Sequence, residues 1–91
     1  MAKFFFTYGS DSPTQPYNGG WTEVRAESMD KAIDAFCMVH PPIVNKEIPC
    51  SMIYPEEEFK KTRMFEAGSN FGVGRRELIE LKLKVTIDHK E

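Results

Sequence analysis

Residues 77–88, ELIELKLKVTID, alternate apolar and polar side chains along almost their whole length. This two-residue period is typical of a β-strand with one packed face and one wet face. The segment therefore predicts one long strand, which needs neighbouring strands and a covering layer to bury its apolar side. The packed face holds Ile79, Leu81, Leu83, Val85 and Ile87, and the wet face holds Glu80, Lys82, Lys84 and Thr86.

Two further strands are predicted in the first third of the chain. Residues 3–8, KFFFTY, and residues 21–26, WTEVRA, have strand composition. In the second strand we expect Val24 to face the core and Trp21 to be partly exposed. Residues 9–20, between the strands, are rich in Gly, Pro, Asn and Asp, which predicts a long loop that projects or folds over a site. One face of the first strand carries Phe4, Phe6 and Tyr8.

The best-defined helix follows Ser28, a residue well suited to cap a helix N-terminus. Pro41 and Pro42 end the helix, because a residue before proline avoids the helical conformation. Between these limits the face-forming residues recur at the three- and four-residue spacing of one helical face. They are Met29, Ala32, Ile33, Phe36, Cys37 and His40.

A third strand is predicted over residues 46–54, KEIPCSMIY, with Pro49 marking an edge or a bulge. A second helix is predicted to start at Pro55, to carry three glutamates in its first turn and to end before Gly68. Its apolar face is thin, so we expect a short, peripheral element.

These elements predict an α+β fold with the order β-β-α-β-(α)-β. The expected architecture is a mostly antiparallel four-stranded sheet, with the main helix packed on one face. The length of 91 residues fits a single compact domain over residues 1–91, with a long loop at 9–20 and a tail at 88–91.

Charge and hydropathy exclude several classes of function. The formal net charge is −2, which gives no reason to expect direct DNA binding. No apolar run is long enough to span a bilayer, and the N-terminal stretch lacks the features of a signal peptide. We therefore expect a cytoplasmic protein with no membrane partner, in which Cys37 and Cys50 are reduced, small, buried residues.

Cys37, His40 and Cys50 are the residues with the greatest potential for chemistry. Structural zinc requires four ligands, usually in paired spacings, and the chain offers no such set, so no metal or cofactor is expected. A thiolate–imidazole pair of Cys50 and His40 is conceivable, but neither residue lies in a recognised nucleophile turn. The sequence favours a protein that is not an enzyme, with the His40/Cys50 enzyme kept as an alternative.

Binding is the remaining class, and residues 68–77, GSNFGVGRRE, are the main candidate for it. The glycine spacing matches no phosphate-loop fingerprint, but the segment supplies two guanidinium groups suited to phosphate or carboxylate. Strand alternation directs Arg75 and Arg76 to opposite sides, so at most one of them faces a given ligand. Aromatic side chains near the strand ends can stack on a base. The predicted ligand contacts are Tyr8, Ser10, Trp21, Arg75 and Arg76.

The chain also resembles a group of short proteins encoded by bacteriophages and prophages. The resemblance rests on FFFTYGS, PYNGGWTEV, a helix ending in HPP, PCSMIY, and EEEFKKTRMFEAG followed by GVGRRELIEL, and it covers roughly residues 4 to 80. It carries no assigned catalytic residues. It implies a setting in the cytoplasm of an infected bacterial host, and a protein that counteracts host defence.

Two modes of action fit this setting. The first hypothesis is sequestration of a small anionic, nucleotide-like ligand through the five residues named above. The second is inhibition of a host defence protein, such as a CRISPR nuclease, through an acidic surface at Glu56, Glu57 and Glu58 or through a sheet edge. An exposed edge strand would also allow a homodimer or a higher homo-oligomer.

Overall fold

The computed structural model describes residues 1–43, 45–80 and 84–88. Within these residues the chain is a small α+β structure with five strands and three helices. The elements are β1 (Ala2–Thr7), β2 (Trp21–Ala26), α1 (Met29–Val39), β3 (Met52–Pro55), α2 (Glu56–Phe59), α3 (Arg63–Ala67), β4 (Arg75–Glu80) and β5 (Lys84–Ile87).

The described strands form one sheet in the order β3-β1-β2-β4-β5. Three of the four neighbouring pairs are antiparallel, whereas β2 and β4 run parallel. The α+β class is confirmed, but the prediction of four strands is corrected to five strands in a mixed sheet. In the parallel pair, β4 lies beside β2 at the side of the sheet away from β3.

The predicted single strand over residues 77–88 is wrong, because β4 and β5 fold back on each other as an antiparallel pair. The register joins Ile79 to Val85 and Leu78 to Thr86. Paired residues are therefore both odd-numbered or both even-numbered, and a hairpin of this register preserves the alternation between the two faces. A two-residue period cannot separate this arrangement from one long strand. Leu81 and Leu83 of the predicted packed face, Lys82 of the predicted wet face, and the tail residues 89–91 lie outside the described part of the chain.

The third strand is shorter than the predicted span of 46–54, since β3 begins only at Met52. Asn45 and Lys46 have positive φ values of 55° and 56°, which places them in a turn. Pro49 follows, and it cannot donate a ladder hydrogen bond. Backbone conformation and proline therefore delay the strand, and Cys50 lies in the irregular segment just before it.

The main helix agrees with its sequence signals. The Ser28 side chain accepts a hydrogen bond from the Lys31 backbone N–H at 3.2 Å, as an N-cap should. Ala32 and Phe36 are buried against the sheet, and the rings of Phe6 and Phe36 stack with their centroids 4.4 Å apart. This layer forms the larger core, which also contains Phe4, Tyr8, Val24, Ala26 and Ile79.

A smaller aromatic cluster lies on the opposite face of the sheet. The rings of Phe5 and Phe59 stack with their centroids 4.1 Å apart. The Trp21 ring lies edge-on to Phe59, with a centroid separation of 5.0 Å. Trp21 is only 8% exposed, so the expectation of partial exposure is wrong: α2 brings Phe59 over it. The predicted second helix is two short helices, because Thr62 interrupts the run and caps α3.

Among the described residues, no helix combines the length and the apolar character needed to cross a membrane.

Candidate functional site

The five predicted ligand contacts do not converge on one pocket. Tyr8 lies in the core under α1, whereas Trp21 lies in the aromatic cluster on the other face of the sheet. Ser10 is exposed at the start of the long loop. The separation follows from strand geometry, because residues that reach opposite faces of a sheet cannot share a pocket on either face.

Arg75 and Arg76 contact different parts of the molecule, as alternation predicts. The Arg75 Nε donates to Asp88 Oδ2 at 2.7 Å, and its NH1 lies 3.5 Å from Glu23 Oε1. The hydrogen bond to Asp88, supported by the charges of both carboxylates, raises the pKa of Arg75. Arg76 instead lies 5.5 Å from the centroid of the Tyr17 ring and donates to the Asn18 carbonyl at 2.6 Å.

The glycine-rich segment before these arginines closes the base of the long loop. The Asn70 side chain donates to the carbonyls of Tyr8 and Gly20 at 2.8 and 3.0 Å, while the Asn70 backbone carbonyl accepts from the Gly20 N–H. Phe71 and Gly72 form the turn that follows, with φ values of 55° and 79°. These contacts give GSNFGVGRRE a structural role: it holds the two ends of the loop together.

A buried polar network lies beneath this loop, centred on Glu77. The carboxylate is 1% exposed and accepts hydrogen bonds from Thr22 at 2.9 Å and from Tyr17 at 3.2 Å. His40 Nε2 forms a short hydrogen bond with the same oxygen that Thr22 contacts. Strand β2, the long loop and the C-terminal end of α1 thus all meet at one buried carboxylate, which needs such partners to remain in the interior.

The direction of each hydrogen bond follows from the chemistry of the groups. Thr22 and Tyr17 donate to Glu77, and a carboxylate, which only accepts, pairs with the His40 tautomer that carries its hydrogen at Nε2. Since the Thr22 hydrogen is used in this way, the Tyr8 hydroxyl donates to the Thr22 oxygen. Burial and the charge of Glu77 raise the pKa of Tyr17 to about 12, and burial also raises the pKa of Tyr8. Both phenols therefore keep their protons at neutral pH.

The second nitrogen of His40 takes no part in this network. Within the described residues, every buried side-chain nitrogen and oxygen has a hydrogen-bond partner, and the ring contributes a side-chain hydrogen bond only through Nε2. Nδ1 is consequently not a buried atom. With Nε2 protonated and donating to Glu77, a neutral imidazole presents a lone pair at Nδ1.

His40 lines a cavity of about 330 Å³ between the long loop and the segment that follows α1. This volume lies at the lower end of the range usual for small-molecule sites. The polar side chains of the lining belong to Thr14, Gln15 and His40. Its apolar lining residues are Pro13, Pro16, Val39, Pro41, Ile43 and Pro49.

An adjoining cavity of about 260 Å³ shares four of these lining residues and adds Glu47, Ile48 and Cys50. Cys50 was the candidate partner of His40 in catalysis. Burial, with a smaller contribution from Cys37, raises the pKa of the Cys50 thiol to about 12. A thiol with such a pKa is almost fully protonated at neutral pH, and the thiolate is the nucleophilic form.

In the described part of the chain, no group of three or more His, Cys, Asp or Glu side chains is arranged to hold a metal ion. The network at Glu77 combines a carboxylate and one imidazole with hydroxyl groups. This donor set suits hydrogen bonding rather than metal coordination.

Sequence reasoning considered His40 but missed Glu77, Thr22 and Tyr17 as a group. One signal was present. Glu77 has the same odd-numbered parity as Ile79 and so lies on the packed face of the strand, where a carboxylate requires a partner. The identity of the partners could not be read, because they come from a loop, another strand and a helix end.

Comparisons with known protein families, with curated proteins and with solved structures find no match for this chain.

Proposed function

We propose that this protein binds and sequesters a small anionic, nucleotide-like ligand, without catalysis, in the cavity lined by His40. The observation that supports this assignment most directly is that His40, whose Nε2 is held by Glu77, lines an otherwise largely apolar cavity. An apolar enclosure with a few convergent polar groups is the usual form of a small-molecule site. The proposed role in counteracting a host defence rests on the resemblance to phage-encoded proteins.

The surroundings of His40 support a preorganised site. Glu77 fixes one ring nitrogen. The Tyr17 ring lies edge-on to the imidazole, with the two ring centroids 6.1 Å apart. The loop that forms one cavity wall is secured at its base by Asn70 and Arg76. A site whose polar group is held before binding loses less conformational entropy when the ligand enters.

This placement moves the proposed ligand contacts away from those predicted by sequence. Arg76 remains connected to the site indirectly, through its position over the Tyr17 ring. Arg75 is engaged by Glu23 and Asp88 on the other side, and we no longer propose it as a contact.

A melting screen against cyclic and linear nucleotides tests the proposal. A ligand that binds the folded state raises Tm by mass action, by an amount that grows with ligand concentration. The variant Thr14→Trp is designed to fill the cavity mouth and should abolish the shift. Thr86→Trp is the matched control, since Thr86 is exposed on β5. The absence of a shift with every nucleotide at millimolar concentration would contradict sequestration.

The second candidate is inhibition of a host defence protein, and one observation favours it. Strand β3 is an edge of the described sheet and runs directly into α2, whose Glu57 and Glu58 are exposed. An edge strand beside negative charge can pair with an extended, basic segment of a partner. This candidate predicts a stable complex with a host nuclease and no nucleotide-dependent change in Tm. The double substitution Glu57→Lys and Glu58→Lys should abolish the complex.

A further inference from the structure

The chemistry of the cavity also indicates which part of a nucleotide-like ligand it would hold, an inference that rests on the proposed function. We propose that the cavity encloses the planar, uncharged ring of the ligand, and that His40 Nδ1 accepts a hydrogen bond from an N–H group on the edge of that ring. The phosphate of the ligand then lies outside the cavity, in contact with solvent.

The lining favours a flat, apolar body over a phosphate. Four of the lining residues are prolines, whose rigid rings present apolar surface, and Val39 and Ile43 add aliphatic groups. Apart from His40, the described residues that line this cavity include no ionisable side chain. Enclosing a phosphate there without a cation would be costly, because an unpaired charge loses its hydration.

The lining of the adjoining cavity also disfavours a phosphate. Its lining includes Glu47, and within the described residues it includes no lysine or arginine. A carboxylate disfavours a nearby phosphate through like-charge repulsion. Neither cavity beneath the loop is therefore built for an anion, and the apolar surface suited to a ring lies in the cavity lined by His40.

In the neutral imidazole, the polar anchor is an acceptor rather than a donor. The Nε2 hydrogen is committed to Glu77, which Thr22 and Tyr17 hold in place from two other elements. The remaining lone pair at Nδ1 matches a ring N–H or an exocyclic amino group, and nucleobases carry both. Glu77 is a positioning residue here, since it acts on the ligand only through His40.

Isothermal titration calorimetry on the full chain separates the two halves of the ligand. The probes are uridine, guanosine, their 5′-monophosphates, ribose 5-phosphate and inorganic phosphate. At least one nucleoside should bind within about threefold of its monophosphate, because the ring supplies most of the buried contact. Ribose 5-phosphate and inorganic phosphate should show no binding.

A change in the ligand tests the hydrogen bond without any risk to folding. In 3-methyluridine and 1-methylguanosine a methyl group replaces the imino hydrogen. The methylated form of the nucleoside that binds should bind at least about fivefold more weakly, as expected for a lost hydrogen bond to a desolvated group. His40→Gln, checked for folding by circular dichroism, should reduce this discrimination, while Thr86→Gln should retain it.

The possible results distinguish the two proposals. If monophosphates and ribose 5-phosphate bind alike and nucleosides do not, the ring assignment is overturned and anion sequestration stands. If nucleosides bind but no phosphorylated probe does, the ring assignment stands and anion sequestration is overturned. Equal binding of the methylated and unmethylated nucleosides also overturns the assignment at Nδ1. A complete absence of binding overturns both.

Discussion

Glu77 and Glu23 lie on adjacent strands, both are nearly inaccessible, and yet their partners differ in kind. Glu77, 1% exposed, accepts from two hydroxyl groups and an imidazole that come from three separate elements. Glu23, 7% exposed, lies between the guanidinium groups of Arg25 and Arg75. The first carboxylate is on the face covered by α1, and the second is on the opposite face.

The two sets of partners indicate what each carboxylate does for the structure. The ion pairs at Glu23 continue to Glu80 and Asp88, so charges on the sheet face opposite α1 neutralise one another where both guanidinium groups are partly exposed. The network at Glu77 instead joins a loop, a helix end and a strand where water is excluded. Removal of the Glu77 carboxylate should therefore affect more elements than removal of the Glu23 carboxylate.

The largest expected effect is that of Glu77→Ala. The substitution leaves the donors of His40, Thr22 and Tyr17 without their acceptor in a buried site, which should reduce the free energy of unfolding by about 3–5 kcal/mol. Glu23→Ala is the control, with an expected loss of about 1–2 kcal/mol, because each arginine retains a second carboxylate. Urea unfolding measures both values. Equal losses would contradict the distinction between the two faces.

Gly20→Ala should have the next largest effect, because it disturbs the loop that covers the Glu77 network. Gly20 has φ of 73°, and an added Cβ would lie 2.3 Å from the Gly74 carbonyl oxygen. We expect a loss of more than about 2 kcal/mol, since strain in the left-handed region adds to a backbone clash. Gly68→Ala is a matched control: φ is also 73°, but no atom lies within 4 Å, so only about 1 kcal/mol is expected. Thermal unfolding of both variants would show whether the close contact matters.

Tyr17→Phe should have a smaller effect, about 1 kcal/mol, because it deletes one hydrogen bond to Glu77 and preserves the ring. The same phenol predicts a dependence on pH. Its pKa rises from 10.0 to about 12 on folding, so its stabilising contribution is present below pH 10 and is lost as the pH rises through 12. The wild-type protein should therefore lose more stability between these pH values than the variant does. Parallel curves for the two proteins would contradict this linkage.

A test of the reactivity of the Cys50 thiol perturbs the structure least. The raised pKa of Cys50 predicts alkylation at pH 8 that is on the order of a hundredfold slower than that of an unhindered thiol. Mass spectrometry of the Cys37→Ser variant isolates the reaction of Cys50, and glutathione supplies the reference rate. Rapid alkylation of Cys50 in the folded protein would return the enzyme hypothesis with His40 and Cys50 to consideration.

Local sequence signals predicted the elements that depend on local physics. The Ser28 cap, the spacing of Ala32 and Phe36, and the alternation of the first two strands all produced correct elements. The hairpin of β4 and β5 escaped prediction because its register preserves the alternation of the two faces. The burial of Trp21 escaped prediction because Phe59, which covers it, is distant in sequence.

The candidate site was harder to predict, because the residues that form it are far apart in sequence. The sequence distinguished His40 as a helix-end residue, but its partner Glu77 is 37 residues away, and Tyr17 is 60 residues from Glu77. No periodicity connects such positions. Arg75 and Arg76 attracted attention because guanidinium groups are suited to anions, yet in the fold each contacts other parts of the same chain.

The parallel pairing of β2 with β4 has a consequence for how the chain folds. Thr22 and Glu77, which this pairing brings together, are 55 residues apart, so closing the pair restricts more than half of the chain. The entropy of such a closure must be overcome before any contact across it is gained, and contacts of long sequence separation slow folding. The hairpin of β1 and β2 and helix α1 can form locally, whereas the Glu77 network can be completed only when β4 docks. Folding rates of Glu77 variants would then change little, and the loss of the carboxylate would appear mainly as faster unfolding.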